Sequence, residues 1–204
     1  MITESKINAN YLSYIKRLEK YNCASEKMLS EIGETLKYCP FSGRPEFGCD
    51  YKGSMIDVVL NRLCTLAYSI NETSFVQKHE NMRVNVDMLM RVLLLQHISK
   101  AELFIPVSET WKIKKGLTYE FNDFLNTKLK SGQRSAYLCH KYGIPLTEEE
   151  YEAIISIDDI DDNKGNIFMS PLAIISKTVN MIVSVELRQE WVRKRNELEI
   201  GIER

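Results

Sequence analysis

Histidine is scarce in this chain. His79, His97 and His140 are the whole supply, and no two of them stand three or four residues apart. A hydrolytic zinc or iron site draws on two or three clustered imidazoles or carboxylates, so this spacing favours hydrogen-bonded histidines, His97 above all, over metal ligands. Cysteine is short of a pattern. Cys23, Cys39, Cys49, Cys64 and Cys139 form an odd set with no CxxC pair, which argues against a disulfide framework or a zinc knuckle and for reduced thiols. Cys139 and His140 are neighbours, and on a helix neighbours point about 100° apart; a thiolate–imidazole pair needs direct contact, so a cysteine protease is disfavoured. No apolar run approaches the roughly 18 residues needed to span a bilayer, and Met1 to Lys6 lacks the charged-then-apolar pattern of a signal peptide. Excess positive charge is missing too. Lys plus Arg number 27 against 28 for Asp plus Glu, whereas binding through nucleic-acid phosphates usually shows a basic excess. GxSxG, P-loop and GxGxxG motifs, internal repeats and low-complexity tracts are all absent. The expectation is a cytoplasmic protein with no membrane and no nucleic acid among its partners.

What is present is helical periodicity. Ile7, Tyr11, Tyr14, Ile15 and Leu18, then Met28, Leu29, Ile32 and Leu36, recur at helical spacing and predict two helices within the first 37 residues. Cys39 to Gly53 is a loop rich in breakers, with Pro40, Gly43, Pro45, Gly48 and Gly53; loops of this length are often functional. Met55, Val59, Leu63, Leu66 and Ile70 mark a third helix. Val84 to Lys100 is apolar nearly all round and therefore belongs at the centre of the molecule. At 100° per residue, Gln96, His97 and Lys100 share a face with Val86, Leu89, Met90 and Leu93, which puts polar groups where more core is expected.

Trp111 to Ile113 and Leu117 to Phe121 alternate around Lys115-Gly116, which predicts a short β-hairpin. Ser131 is a candidate cap for a helix from Gly132 to Tyr142 ending at Gly143. Thr147 and Glu150 form a capping box. Ser170-Pro171 opens a long final helix, core-facing at Leu172, Ile175, Val179, Ile182 and Val183 and highly charged from Arg188 to Glu199. The fold class is all-α: about seven helices and one small hairpin, in one domain over 1–204. Residues 1–38 form the N-terminal helices, 39–186 the core and 187–204 a charged extension.

Two further clusters invite chemistry. The acidic stretch Asp158 to Gly165 is similar to a calcium loop, but counted from Asp159 its glycine falls one place late and its twelfth position is Ser170 instead of Glu, so a solvated turn is the better reading. Lys112, Lys114, Lys115, Lys128, Lys130 and Arg134 could gather round an anion; scattered solvent-facing cations are the favoured alternative.

The order of these pieces resembles the HD-domain metal-dependent phosphohydrolases, particularly small bacterial and phage-type members, over roughly Phe41 to Glu186. Tyr51 to Val58 is similar to the family's YxGGLxEH helix start, Leu93 to Ala101 to its LLHDxxKA signature, Ser131 to Ser135 to HGxxS, Leu146 to Glu150 to LTxEE, and Ser170 through Asn180 to SPLxxLLxxAD. The resemblance implies an HD-like bundle, and it also places the family's metal ligands. The first-helix His falls on Val58, beside Asp57; the His-Asp doublet falls on Gln96-His97; the His before the Gly-x-x-Ser turn falls on Ser131; the His after the capping-box helix falls on Ile157; the final Asp falls on Asn180. Val and Ile have no lone pair to donate, Gln and Asn are weak neutral ligands, and one imidazole does not hold a divalent ion against water. Without the cation nothing lowers the pKa of a water or neutralises a phosphoryl oxygen.

The resemblance therefore implies a catalytically inactive HD-like protein without metal or other cofactor, acting as a regulator, scaffold or partner-binding module. Asp57, Val58, Gln96, His97, Lys100, Ser131, Arg134, Ile157 and Asn180 would line the vestigial pocket. Arg188, Trp191 and Arg195 are candidate contacts for a protein partner or a second copy, the other reading being that Trp191 folds back onto the N-terminal helices. The alternatives are a sensor in which Lys100 and Arg134 meet the phosphate of a nucleotide or other phosphate ligand, and an atypical phosphohydrolase.

Overall fold

The computed structural model of the chain describes residues 2–158 and 169–202. Its helices begin where the sequence supplies caps. Thr3 accepts from the Lys6 amide at the head of α1 (Glu4–Lys20), and Ser25 from the Met28 amide at the head of α2 (Glu26–Tyr38); each hydroxyl satisfies an amide with no partner inside its helix. Both helices bury the face their periodicity marks, Ile7, Tyr14 and Leu18 on the first and Met28, Ile32 and Leu36 on the second. The loop that follows contains a short 3₁₀ turn, Pro45–Phe47, and left-handed Gly48 and Gly53. A side chain at Gly48 would strike the Leu187 carbonyl 2.6 Å away and lie 3.3 Å from Trp191 Cβ, so bare backbone lets the loop seat directly on the final helix.

The third helix is continuous through a single π turn: α3 (Ser54–Val58), the π segment Val59–Leu63, then α4 (Cys64–Asn71). A one-turn helix α5 (Ser74–Lys78) and a 3₁₀ turn, Glu80–Met82, lead to α6 (Val86–Leu95). As its all-round apolarity requires, α6 is the central strut: Leu89, Met90 and Val92 to Leu95 are buried, and Tyr14 donates to the Leu94 carbonyl at 2.6 Å. Each leucine sealed there stabilises the fold by about 2 kcal/mol. Arg91, half-buried in the middle of this helix, ties the bundle ends together. Its Nε pairs with buried Glu150 at 2.6 Å, and its other nitrogens donate to the carbonyls of Tyr21, Asn22 and Pro145.

After α6 come α7 (Lys100–Leu103), β1 (Phe104–Pro106), α8 (Thr110–Lys114) and β2 (Tyr119–Phe121). The strands pair antiparallel, Phe104 opposite Phe121 and Pro106 opposite Tyr119. The hairpin expected from the sequence is thus present, but its first strand lies upstream. Trp111 to Ile113 is helical, and Lys115-Gly116 closes that helix instead of turning a hairpin. Gly116 is left-handed at φ 81° and its amide donates to the Ile113 carbonyl, while the Leu117 amide donates to Lys112; this pair of bonds is the glycine-terminated helix ending.

The chain finishes with α9 (Ser131–Lys141), α10 (Glu148–Ile155), a 3₁₀ turn Ser156–Asp158 and α11 (Pro171–Ile202). Thr147 and Glu150 form the expected reciprocal capping box. Gly143, left-handed at φ 70°, ends α9 as its position predicts. The fold is all-α with one small antiparallel hairpin, and a hydrophobic cluster runs from Tyr14 to Leu187. Among the described residues no helix is long and apolar enough to cross a membrane. The acidic stretch after Asp158, and with it the candidate calcium loop, lies outside the described residues.

Candidate functional site

The polar residues that interrupt the stripe of the central helix also end it. From Gln96 to Ser99 the backbone tightens: the Ile98 amide donates to Leu95, Lys100 to His97 and Ala101 to Ile98, each only three residues back. The turn is held by side chains from two other helices. Ser135 of α9 donates its hydroxyl to the Gln96 carbonyl at 2.8 Å and accepts the Ser99 amide at 3.2 Å. Ser176 of α11 donates to Gln96 Oε1 at 2.8 Å. One helical turn further along α11, Asn180 donates from Nδ2 to the Ser176 carbonyl at 2.8 Å and presents Oδ1 to His97 Nε2 at 2.9 Å.

That geometry fixes the tautomer. Because the Asn180 NH₂ is engaged with a carbonyl, its Oδ1 is the acceptor, so His97 carries its proton on Nε2 and its lone pair on Nδ1. Gln96 is fully buried and His97 nearly so. Burial drives the His97 pKa down to about 3; the charge on Lys100 pushes the same way and the bond to Asn180 opposes it. His97 is therefore neutral at physiological pH. Phe41 packs edge-on against its ring at 4.8 Å between centroids.

The remaining positions singled out by the sequence sort themselves differently. Val58 is fully buried in the hydrophobic cluster. Asp57 faces another set of partners: its oxygens accept from Asn10, Tyr51 and Asn61 at 2.8–3.0 Å. Ser131 is the first residue of α9, so it does not cap that helix; its hydroxyl pairs with Ser99 Oγ at 2.9 Å, and Gln133 takes up the Lys130 amide instead. Arg134 is buried, but it is no phosphate hook. It pairs with Glu102 at 3.1 Å and donates to the Thr127 carbonyl at 2.7 Å and hydroxyl at 3.1 Å. Ile157 lies half-buried in the 3₁₀ turn after α10, and its neighbour Asp158 accepts the Gly132 amide at the start of α9.

The donor set does not fit a divalent ion. Of the nine positions marked by the resemblance, Val58 and Ile157 offer no lone pair, the Gln96 oxygen accepts from Ser176, and the Asp57 carboxylate is occupied elsewhere. His97 Nδ1 alone is a good ligand atom, and one imidazole is too few. Among the described residues no three His, Cys, Asp or Glu side chains stand together as a metal-binding group. Nor are the thiols poised for nucleophilic chemistry. All five cysteines are free and buried, and burial raises Cys23, Cys39, Cys49 and Cys139 to about 12 and Cys64 to about 11, so they are protonated and inert.

Lys100 stands apart from the network. Its ammonium lies 4.6 Å from the Phe41 ring centroid and 5.7 Å from that of Phe104, in a cavity of about 160 Å³ between the Cys39–Gly53 loop, the hairpin and α11. None of the cations of the suspected cluster, Lys112 to Arg134, lines this cavity. Lys112 bridges Glu109 and Glu120, and Lys115 sits over the Trp111 ring.

On α11, Trp191 is half-buried instead of free: Arg195 lies over its ring at 5.5 Å and its Cβ borders the Gly48 backbone. It therefore packs against the loop. The exposed apolar side chains of this helix include Ile174, Met181, Ile182, Val185 and Val192, beside exposed Arg188; Ile182, expected to face the core, instead points outward, while Leu172, Ile175, Val179 and Val183 are buried. Sequence reasoning missed these exposed apolar positions, as it missed Ser99, Ser135 and Ser176. A serine four residues before Asn180 within an apolar stripe was the available sign of the last. Comparison with protein-family models, curated proteins and solved structures finds no match to this chain.

Proposed function

We propose that this chain is a catalytically inactive, HD-like module that regulates or scaffolds by binding and does not hydrolyse phosphate esters. The observation that carries the reading is the His97–Asn180 contact, joined through Ser176 to Gln96. Where a metal-dependent phosphohydrolase of this resemblance needs anionic and imidazole ligands, there stands a neutral hydrogen-bonded network knitting α11 to the central turn. These bonds order a helix junction without a ligand, although Gln96 Nε2 and His97 Nδ1 stay buried without a hydrogen-bond partner among the described residues. Arg134, the natural companion of Lys100 for a phosphate, is committed to Glu102 and Thr127. The exposed apolar side chains of α11 offer a partner the kind of surface that binding modules use.

The direct test is turnover. The purified chain, incubated with Mn²⁺, Co²⁺ or Mg²⁺ and offered p-nitrophenyl phosphate or nucleoside monophosphates, is expected to release product no faster than the Gln96→Ala variant under the same conditions. Metal-dependent turnover that Gln96→Ala or Asn180→Ala abolishes overturns the reading and restores hydrolysis.

A further inference from the structure

Lys100 is a partly buried cation that makes no ion pair and no hydrogen bond among the described residues; its ammonium faces the rings of Phe41 and Phe104. Burial lowers its pKa, and Asp158 is felt only as a through-space attraction. The thiols of Cys39 and Cys49 are protonated and supply no counter-charge. A charge withdrawn from water without a partner is costly, so such groups are normally paired.

The cavity around it defines what could pair with it. Phe41, Phe47, Phe104 and Leu187 make apolar walls, and the hydroxyls of Ser42 and Ser184 stand with Lys100 as its polar groups. About 160 Å³ is close to the roughly 150 Å³ that accepts one benzene ring. It is too small for a nucleotide. One cation with two hydroxyls matches a single negative charge, and a phosphate dianion would want the second cation that Arg134 does not provide.

We propose that this cavity is a binding site for a small aromatic monocarboxylate, its ring stacked among Phe41, Phe47 and Phe104 and its carboxylate on Lys100 with Ser42 or Ser184. The site needs only these side chains and stands whether or not the chain descends from a phosphohydrolase.

The test uses the full chain, titrated calorimetrically with benzoate, with benzamide as the uncharged counterpart and inorganic phosphate as the anion without a ring. Benzoate is expected to bind saturably at one site, with benzamide and phosphate at least about tenfold weaker, the scale of a lost charge-assisted contact. Lys100→Met is expected to erase the preference for benzoate over benzamide. Ser184 is exposed, so Ser184→Phe keeps the fold, fills the cavity and abolishes benzoate binding even if Lys100→Met fails to fold. Absence of saturable benzoate binding, equal affinity for benzamide, tighter binding of phosphate, or unchanged binding in Ser184→Phe each overturns the assignment.

Discussion

At the scale of single residues, His97 has the clearest measurable consequence. Its pKa falls from an ordinary 6.5 to about 3 on folding. Between those values the unfolded chain takes up a proton that the folded chain refuses, so stability is full above pH 6.5 and declines as pH falls toward 3, at about 1.4 kcal/mol per pH unit. Gln at this position keeps an amide donor for Asn180 but cannot titrate. In urea unfolding at pH 7, 5 and 4, the wild type is expected to lose stability relative to His97→Gln at on the order of 1 kcal/mol per pH unit. A difference between the two proteins that stays constant with pH shows that His97 is not held neutral. That Gln96 and His97 are unusual was legible from periodicity alone, since they stand on an apolar face. Their partners were less so. Asn180 came only through the resemblance, and Ser176, although it interrupts the apolar stripe of its own helix, carries no sign that its partner is Gln96, 80 residues away.

At the scale of elements, the termini of α9 separate two different uses of glycine. Gly143 is left-handed with nothing within 4 Å of an added Cβ, so Gly143→Ala is expected to cost only the backbone strain, about 1 kcal/mol. Gly132 has helical backbone, but its Cβ would fall 2.3 Å from the Ile154 carbonyl oxygen at the end of α10. A carbonyl fixed in a helix does not yield easily, and Gly132→Ala is expected to cost about 3 kcal/mol by forcing α9 and α10 apart. Thermal denaturation of the two variants checks the order; equal losses contradict the packing described at this junction. Apolar stripes made the helices readable, along with the capping box at Thr147 and Glu150 and the Pro171 start of the last helix; the caps at Thr3 and Ser25 came only with the structure. Two elements resisted for physical reasons. Lys115-Gly116 suits a hairpin turn and a helix ending alike, and the choice was made by β1, upstream, offering β2 a better-placed edge. The turn after Leu95 contains neither Gly nor Pro; it is enforced by Ser135 and Ser176 from helices that sequence periodicity cannot bring alongside.

At the scale of the whole molecule, the positions where the resemblance places metal ligands hold a neutral hydrogen-bonded network instead of charged donors. A converse experiment probes whether its geometry is HD-like: Val58→His, Gln96→His, His97→Asp and Asn180→Asp together are expected to raise divalent-ion binding from background to about one ion per folded chain, if these positions converge as the resemblance implies. A folded quadruple variant that binds no metal contradicts that convergence while leaving the hydrogen-bonded network untouched. The most direct measurement, though, is on the wild type. Elemental analysis of the chain after dialysis against Mn²⁺, Fe²⁺ or Zn²⁺ is expected to find each far below one equivalent. A stoichiometric ion that is lost in His97→Gln would contradict the neutral network and return the site to metal chemistry.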